Sequence, residues 1–180
     1  MDIIKVLGIL AKEFSALDIQ YAVIGGFAMN ALGLARSTVD IDFLILAKDT
    51  PKLNSLLESL GYSCVFKTEN VSQYTSSSNE LGEIDVLHAF RSSSIKMLNR
   101  TRQVSLFHGT ILINVLSPED LVGLKLQALV NDDTRAMREM ADIHAILDRF
   151  RSEINWNVVE EHFKLFDKHL LFKELKEQYG

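Results

Sequence analysis

The chain has one cysteine, two prolines and one tryptophan in 180 residues, no excess of basic side chains, and no apolar run approaching membrane length. Each shortage excludes something. The lone Cys64 rules out an internal disulfide and a cysteine-rich zinc site. Set in Tyr62-Ser63-Cys64-Val65-Phe66, it reads as a small buried apolar residue of a strand. The scarcity of proline, with 47% hydrophobic residues, argues against long disorder and for a real core. With 19 basic against 24 acidic residues the net charge is −5, which is not the global basic field of a dedicated nucleic-acid binder, although a local basic groove stays open. Without about 20 consecutive apolar residues, no helix is expected to cross a bilayer. Asp2, Lys5, Lys12 and Glu13 interrupt the N-terminal apolar residues, so no signal peptide is read and a cytoplasmic protein is expected.

What is present is well-punctuated periodicity. Residues 2–17 read as a helix, with Ile3, Val6, Leu7, Leu10, Phe14 and Leu17 on one stripe and Asp2 as cap. Gln20 to Ile24 is a short strand broken by Gly25-Gly26, and Phe27 to Leu32 a short helix ending at Gly33. Leu34 to Ser37 is a loop leading into the apolar run Val39–Leu46. Thr50 caps a helix that has Pro51 at its first position, Leu53, Leu56, Leu57 and Leu60 buried, and Gly61 at its end. Strands follow near 62–67 and 71–76, then a polar turn at Ser77, Ser78 and Asn79, and the strand Glu83–Leu87. A short helix near 93–99 precedes a hairpin, Gln103–Phe107 and Thr110–Val115, about His108-Gly109. From Ser117 the pattern is all helix, near 118–130, 134–149, 155–165 and 168–178. Ser117-Pro118-Glu119-Asp120 starts it with a serine cap, a proline and two acids. The expected division is therefore a mixed α/β part, 1–116, and a helical extension packed on it, 117–180.

The most informative run is Val39-Asp40-Ile41-Asp42-Phe43-Leu44-Ile45-Leu46. As a strand it points Asp40 and Asp42 to one face, with Leu44 and Leu46, and turns Val39, Ile41, Phe43 and Ile45 to the other. Two carboxylates on a mostly buried strand are costly unless a positive group lies between them. A hard divalent cation, Mg²⁺ or Mn²⁺, answers that cost; two acids facing solvent on an edge strand is the bland alternative. Upstream, Gly25 and Gly26 permit close backbone approach to a ligand, and the following N–H groups suit phosphate. A phosphate cradle beside a metal site is what a nucleoside triphosphate needs. A third acid, Asp85 in Ile84-Asp85-Val86-Leu87, completes a three-carboxylate cluster for two metal ions if its strand lies beside the first. Its bland reading is a strand-end acid. His88 is expected to be structural or solvent-facing.

These residues resemble the nucleotidyltransferase superfamily that includes DNA polymerase β, and more closely the AbiEii-type nucleotidyltransferase toxins. The resemblance rests on Val23-Ile24-Gly25-Gly26-Phe27-Ala28-Met29, Gly33-Leu34-Ala35-Arg36-Ser37-Thr38 and Asp40-Ile41-Asp42-Phe43-Leu44. Ser117-Pro118-Glu119-Asp120-Leu121-Val122-Gly123-Leu124-Lys125-Leu126 looks like the family's helix, and Arg138 and Asp142 like its last polar positions. Many superfamily members carry Gly-Ser where this chain has Gly25-Gly26, so phosphate contact falls to backbone N–H groups or to another residue.

The resemblance implies an α+β minimal nucleotidyltransferase fold: a small mixed sheet flanked by helices, then a C-terminal helical extension. It implies transfer of a nucleoside monophosphate from an NTP to an acceptor hydroxyl. Asp40, Asp42 and Asp85 would hold two Mg²⁺ or Mn²⁺ ions, and Gly25, Gly26, Arg36 and Thr38 would lie along the nucleotide; Arg36 reads otherwise as an RNA-acceptor contact or a surface arginine, and Thr38 as a support of the strand more than a substrate contact. Lys125, on an apolar helical stripe, is either a snorkelling side chain or a cation for the phosphates. Arg138 and Asp142, four apart, read as a solvated ion pair, or else Asp142 orients Lys125 or Arg138. Trp156 is expected to anchor the C-terminal helices. The implied setting is toxin-like, with RNA, perhaps a tRNA 3′ end, as acceptor and a cognate antitoxin as partner. A small antibiotic-type acceptor, or a non-catalytic nucleotide- or RNA-binding module, is the alternative. A glycosyltransferase does not need the Gly-Gly turn, and a haloacid-dehalogenase-type phosphatase normally has Thr or Val where Leu44 stands.

Overall fold

The computed structural model describes residues 2–78 and 80–180, so Asn79 of the expected polar turn lies outside the described residues. The chain divides into two compact units, Met1–Leu116 and Ser117–Gly180. The first holds α1 (Ile3–Ala16), β1 (Tyr21–Ile24), α2 (Gly25–Ala31), β2 (Ile41–Leu46), a single 3-10 turn (Ala47–Asp49), α3 (Thr50–Ser59), β3 (Tyr62–Lys67), β4 (Val71–Ser76), β5 (Glu83–Ala89), α4 (Ser92–Leu98), β6 (Arg102–Leu106) and β7 (Ile111–Val115). The second holds α5 (Pro118–Asn131), a 3-10 turn (Asp133–Arg135), α6 (Ala136–Arg149), α7 (Trp156–Leu165) and α8 (His169–Tyr179). This is the expected α+β fold: a mixed sheet with helices, then a run of helices.

The seven strands form one sheet in the order β3-β4-β5-β2-β1-β7-β6. β2 is central, antiparallel to β1 and parallel to β5. Its Phe43 faces Phe14 of α1 and Tyr21 of β1, with ring centroids 5.3 and 6.0 Å away. Asp2 caps α1 by accepting from the Lys5 backbone N–H, and Val6, Leu7, Leu10 and Phe14 are buried, as 3.6-residue periodicity requires. Tyr74 of β4 is fully buried and its hydroxyl reaches Asn54 of α3. Thus α1 and α3 cover the same face of the sheet.

Four local expectations are corrected. Cys64 is exposed: it lies on the edge strand β3, next to a register shift between Cys64 and Phe66, and only Tyr62 of that strand is buried. Val39 is 77% exposed because β2 begins at Ile41, leaving Val39 and Asp40 in a bend where strand alternation does not apply. Gly25 and Gly26 open α2 instead of preceding it. Thr50 is the first residue of α3, its hydroxyl donating to the Ala47 carbonyl, and Leu60 past the helix end is half-buried.

In the second unit Ser117 caps α5 by accepting from the Asp120 N–H, with Pro118 at the first turn. α5 packs on α6 and α7, and α7 on α8. Gly123 lets α7 approach closely: a Cβ there would stand 2.6 Å from the His162 ring. His162 is in turn tied to Asp120 (2.8 Å), which also accepts from the Ser117 hydroxyl (3.0 Å). Trp156 is half-buried with its ring 6.1 Å from Phe172, while the fully buried Phe163 holds the centre of these helices.

Candidate active site

The turn from β1 into α2 is built around Asp42. Gly25 takes φ +65°, and a Cβ on it would fall 2.0 Å from Asp42 Oδ2. The backbone can therefore lie against that carboxylate only because position 25 carries no side chain. Gly26 is close-packed in a different way: a Cβ there would meet the Thr38 Cβ at 2.8 Å and the Arg36 Cγ at 3.4 Å. Five of the residues singled out by the sequence, Gly25, Gly26, Arg36, Thr38 and Asp42, thus meet at one turn. The loop that brings Arg36 and Thr38 there is clamped by Asn30 of α2, whose amide donates to the Arg36 carbonyl (2.7 Å) and accepts from the Arg36 N–H (2.8 Å). The Thr38 hydroxyl donates to the Asp40 carbonyl at 3.4 Å. Asn30 was not singled out; its only signal was a polar residue near the end of a short apolar helix.

β5 runs parallel to β2 with Asp85 directly beside Asp42. The side chains of such partners share a face. Burial, first, and the charge of Asp40, second, push the Asp85 carboxyl above the ordinary carboxylate range, while the Gln73 amide opposes them by donating to Oδ1 at 3.1 Å. Gln73 comes from β4, opposite Asp85. Sequence reasoning missed it, because nothing local announces which strands will pair.

Among the described residues, no three His, Cys, Asp or Glu side chains stand grouped ready to hold a metal ion. The donors nevertheless fit the expected group: they are all carboxylate oxygens, the ligands a hard divalent cation takes.

His88 is structural, as expected, held between the Ser72 hydroxyl and the Glu69 carbonyl, each 2.9 Å away. Lys125, in the second unit, is buried with its ammonium 2.6 Å from Asp142 Oδ2 and 2.8 Å from Glu139 Oε2. Arg138 reaches Glu139 (3.1 Å), as does Arg135 (2.8 Å). Asp142 is buried and turned to Lys125, the second of the two readings its position allowed. Glu139 escaped notice, although Glu139 and Asp142 are three apart on one helix face.

A strand, a Gly-Gly turn packed on a carboxylate, and a second acid in register on the neighbouring parallel strand sit in a polymerase-β-like nucleotidyltransferase fold. The chain belongs to a family described as uncharacterised nucleotidyltransferases, whose model matches residues 4–167. No curated protein matches it. Among solved structures, the antibiotic-resistance factor ANT(2'')-Ia is similar with a TM-score of 0.66 at 13% identity, over 100% of both chains. The lincosamide antibiotic adenylyltransferase LnuA, bound to lincomycin, has a TM-score of 0.51 at 18% identity, over 66% of this chain and 82% of its own. The nucleotidyltransferase toxin MenT4 of Mycobacterium tuberculosis has a TM-score of 0.57 at 15% identity, over 88% of this chain and 60% of its own. At these identities the likeness is one of fold.

Proposed function

We propose that this protein transfers a nucleoside monophosphate from an NTP to an acceptor hydroxyl. The observation that carries the proposal is Asp42, flanked by Asp85 in register and packed against the bare backbone of Gly25. Asp40 and Asp42 would hold two Mg²⁺ or Mn²⁺ ions, with Asp85 sharing one. When bound, the metal supplies charge neutralisation at the phosphates. The chain's own residues do the rest. Gly25 and Gly26 offer backbone N–H groups to phosphate, with Arg36 and Thr38 beside them. The acceptor oxygen forms a bond to the α-phosphorus, the bond from that phosphorus to the bridging oxygen breaks, and pyrophosphate leaves. Asp85, its proton affinity raised by burial and by Asp40, assists removal of the hydroxyl proton. Lys125, oriented by Asp142 and Glu139, is assigned the charge-neutralising role that the resemblance gives it.

The AbiEii resemblance and the toxin MenT4 support a toxin-like protein, cytoplasmic, with RNA such as tRNA as acceptor and an antitoxin as partner. A second reading, a small-molecule acceptor, has the resistance factor and LnuA behind it and one observation of this chain: its charge of −5. Incubation with Mg²⁺, each α-labelled NTP and either total RNA or small hydroxylated acceptors tests the reaction. Label on an acceptor, lost with Asp42→Ala, supports it. Transfer undiminished in Asp42→Ala would overturn the assigned role, and nucleotide binding without transfer to anything would leave a binding module.

A further inference from the structure

One row of side chains runs outward from the carboxylates to the edge of the sheet. Asp42 stands opposite Asp85, Asp85 opposite Gln73, and Gln73 opposite Phe66 on the edge strand β3. Opposed partners share a face, and the hydrogen bond between Gln73 and Asp85 fixes this for the middle pair. A second row, Ser63–Thr75–Glu83, lies beside it on the same three strands. Tyr62, Tyr74, Ile84 and Val86 point to the opposite face, where α3 lies, and are buried. The row itself stays open: Gln73, Ser63 and Glu83 are exposed, and Phe66 is 49% exposed. An aromatic ring left in water, two register positions from the third acid, is a surface waiting for a flat or cationic group. The two rows hold three carboxylates, Asp42, Asp85 and Glu83, and no basic side chain, so a polyanionic backbone would meet repulsion there and an ammonium group attraction.

We propose that this open face of β3–β4–β5 seats the acceptor, and that the acceptor is a small, hydroxyl-bearing, positively charged molecule. The inference rests on the transferase reading given above. Phe66 takes the ammonium or an apolar ring face, Glu83 supplies counter-charge, and Gln73 holds Asp85 while bordering the acceptor. Phe66 and Gln73 are then specificity-determining residues of the reaction.

The test uses the full chain and three probes with hydroxyls in common but different charge: a glucosamine trisaccharide, its N-acetylated counterpart and an RNA trinucleotide. Binding is measured by calorimetry, and transfer from labelled NTP in parallel. The glucosamine trisaccharide is expected to bind about tenfold more tightly than the other two, and more weakly as salt rises. Phe66→Ala should weaken its binding, or raise its KM, about tenfold, while the KM for NTP stays within about twofold. Both changes are at exposed positions, and unchanged melting of Phe66→Ala and Gln73→Ala confirms folding. Equal or tighter binding of the trinucleotide, or no effect of either variant on the trisaccharide, overturns the proposal. If NTP binds but neither a probe nor total RNA is labelled, the transferase reading falls, and the binding arm alone still decides whether this face seats a cationic molecule.

Discussion

At Gly25 one added carbon has nowhere to go. Its Cβ would sit 2.0 Å from Asp42 Oδ2, and φ +65° is a conformation that side-chain-bearing residues avoid. Gly25→Ala should therefore lose about 1–2 kcal/mol of stability to the left-handed backbone alone and displace the Asp42 carboxylate as well. A melting curve and a transfer assay check both; full activity in Gly25→Ala would mean that Asp42 does not need its present position. Asp85 gives a prediction of the opposite sign. Its pKa is raised by folding, so its ionisation disfavours the folded state once pH rises above the ordinary value of 3.8. Asp85→Asn should melt higher than the wild type at pH 7 and lose that advantage below about pH 4, while transfer falls roughly 10²–10⁴-fold. A variant that melts lower at neutral pH would show that the acid stabilises the fold. The packing of Gly25 on Asp42 was legible as a short-spaced pattern, paired glycines followed within twenty residues by two acids. Gln73 and Asn30 were not, since their importance arises from pairings that only the folded chain creates.

The element-scale device is the join between α5 and α6. Lys125 from one helix meets Glu139 and Asp142 from the other, all buried. Burial alone would push Glu139 up; the nearby Lys125, with Arg135 and Arg138, outweighs it and holds the carboxyl at about 2. A depressed carboxylate stabilises the fold fully above its unfolded value of 4.5, and that stability drains away as pH falls toward 2. The contribution is on the order of 3 kcal/mol. Glu139→Gln should thus be markedly destabilised at pH 7, with its deficit against the wild type closing between pH 4.5 and 2 in urea titrations. A deficit independent of pH would assign the loss to packing. Lys125→Met should cost about 3–5 kcal/mol, since it removes the buried cation that Glu139 and Asp142 share. Helix and strand existence was readable from periodicity and caps, as with Asp2, Ser117 and Pro118. Which helix faces which was not: an isolated lysine on an apolar stripe fits snorkelling as well as a buried pair. The exposed Cys64 shows the same limit, for an apolar-looking strand says nothing about whether it ends up at a sheet edge.

For the whole molecule, the acids proposed to bind metal all lie in the first unit, Met1–Leu116. A ligand that binds only the folded form stabilises what it binds, by about 2.7 kcal/mol at one hundred times its dissociation constant. In a chain of this size about 1 kcal/mol moves the midpoint roughly 2–4 °C. Magnesium with NTP should therefore raise the melting temperature by about 5–10 °C, and a chelator should reverse it. The charge of −5 sharpens the argument, since neutralising clustered carboxylates also relieves self-repulsion, and manganese should act likewise while sodium at equal ionic strength should not. If the two units melt separately, the ligand should shift the first unit's transition directly, because its acids are the proposed ligands. Asp42→Asn should abolish most of the shift even where the variant starts from a higher melting temperature. A shift of equal size in wild type and Asp42→Asn would place the metal elsewhere, and no shift with any NTP would remove the physical basis for metal-assisted nucleotide transfer by this chain.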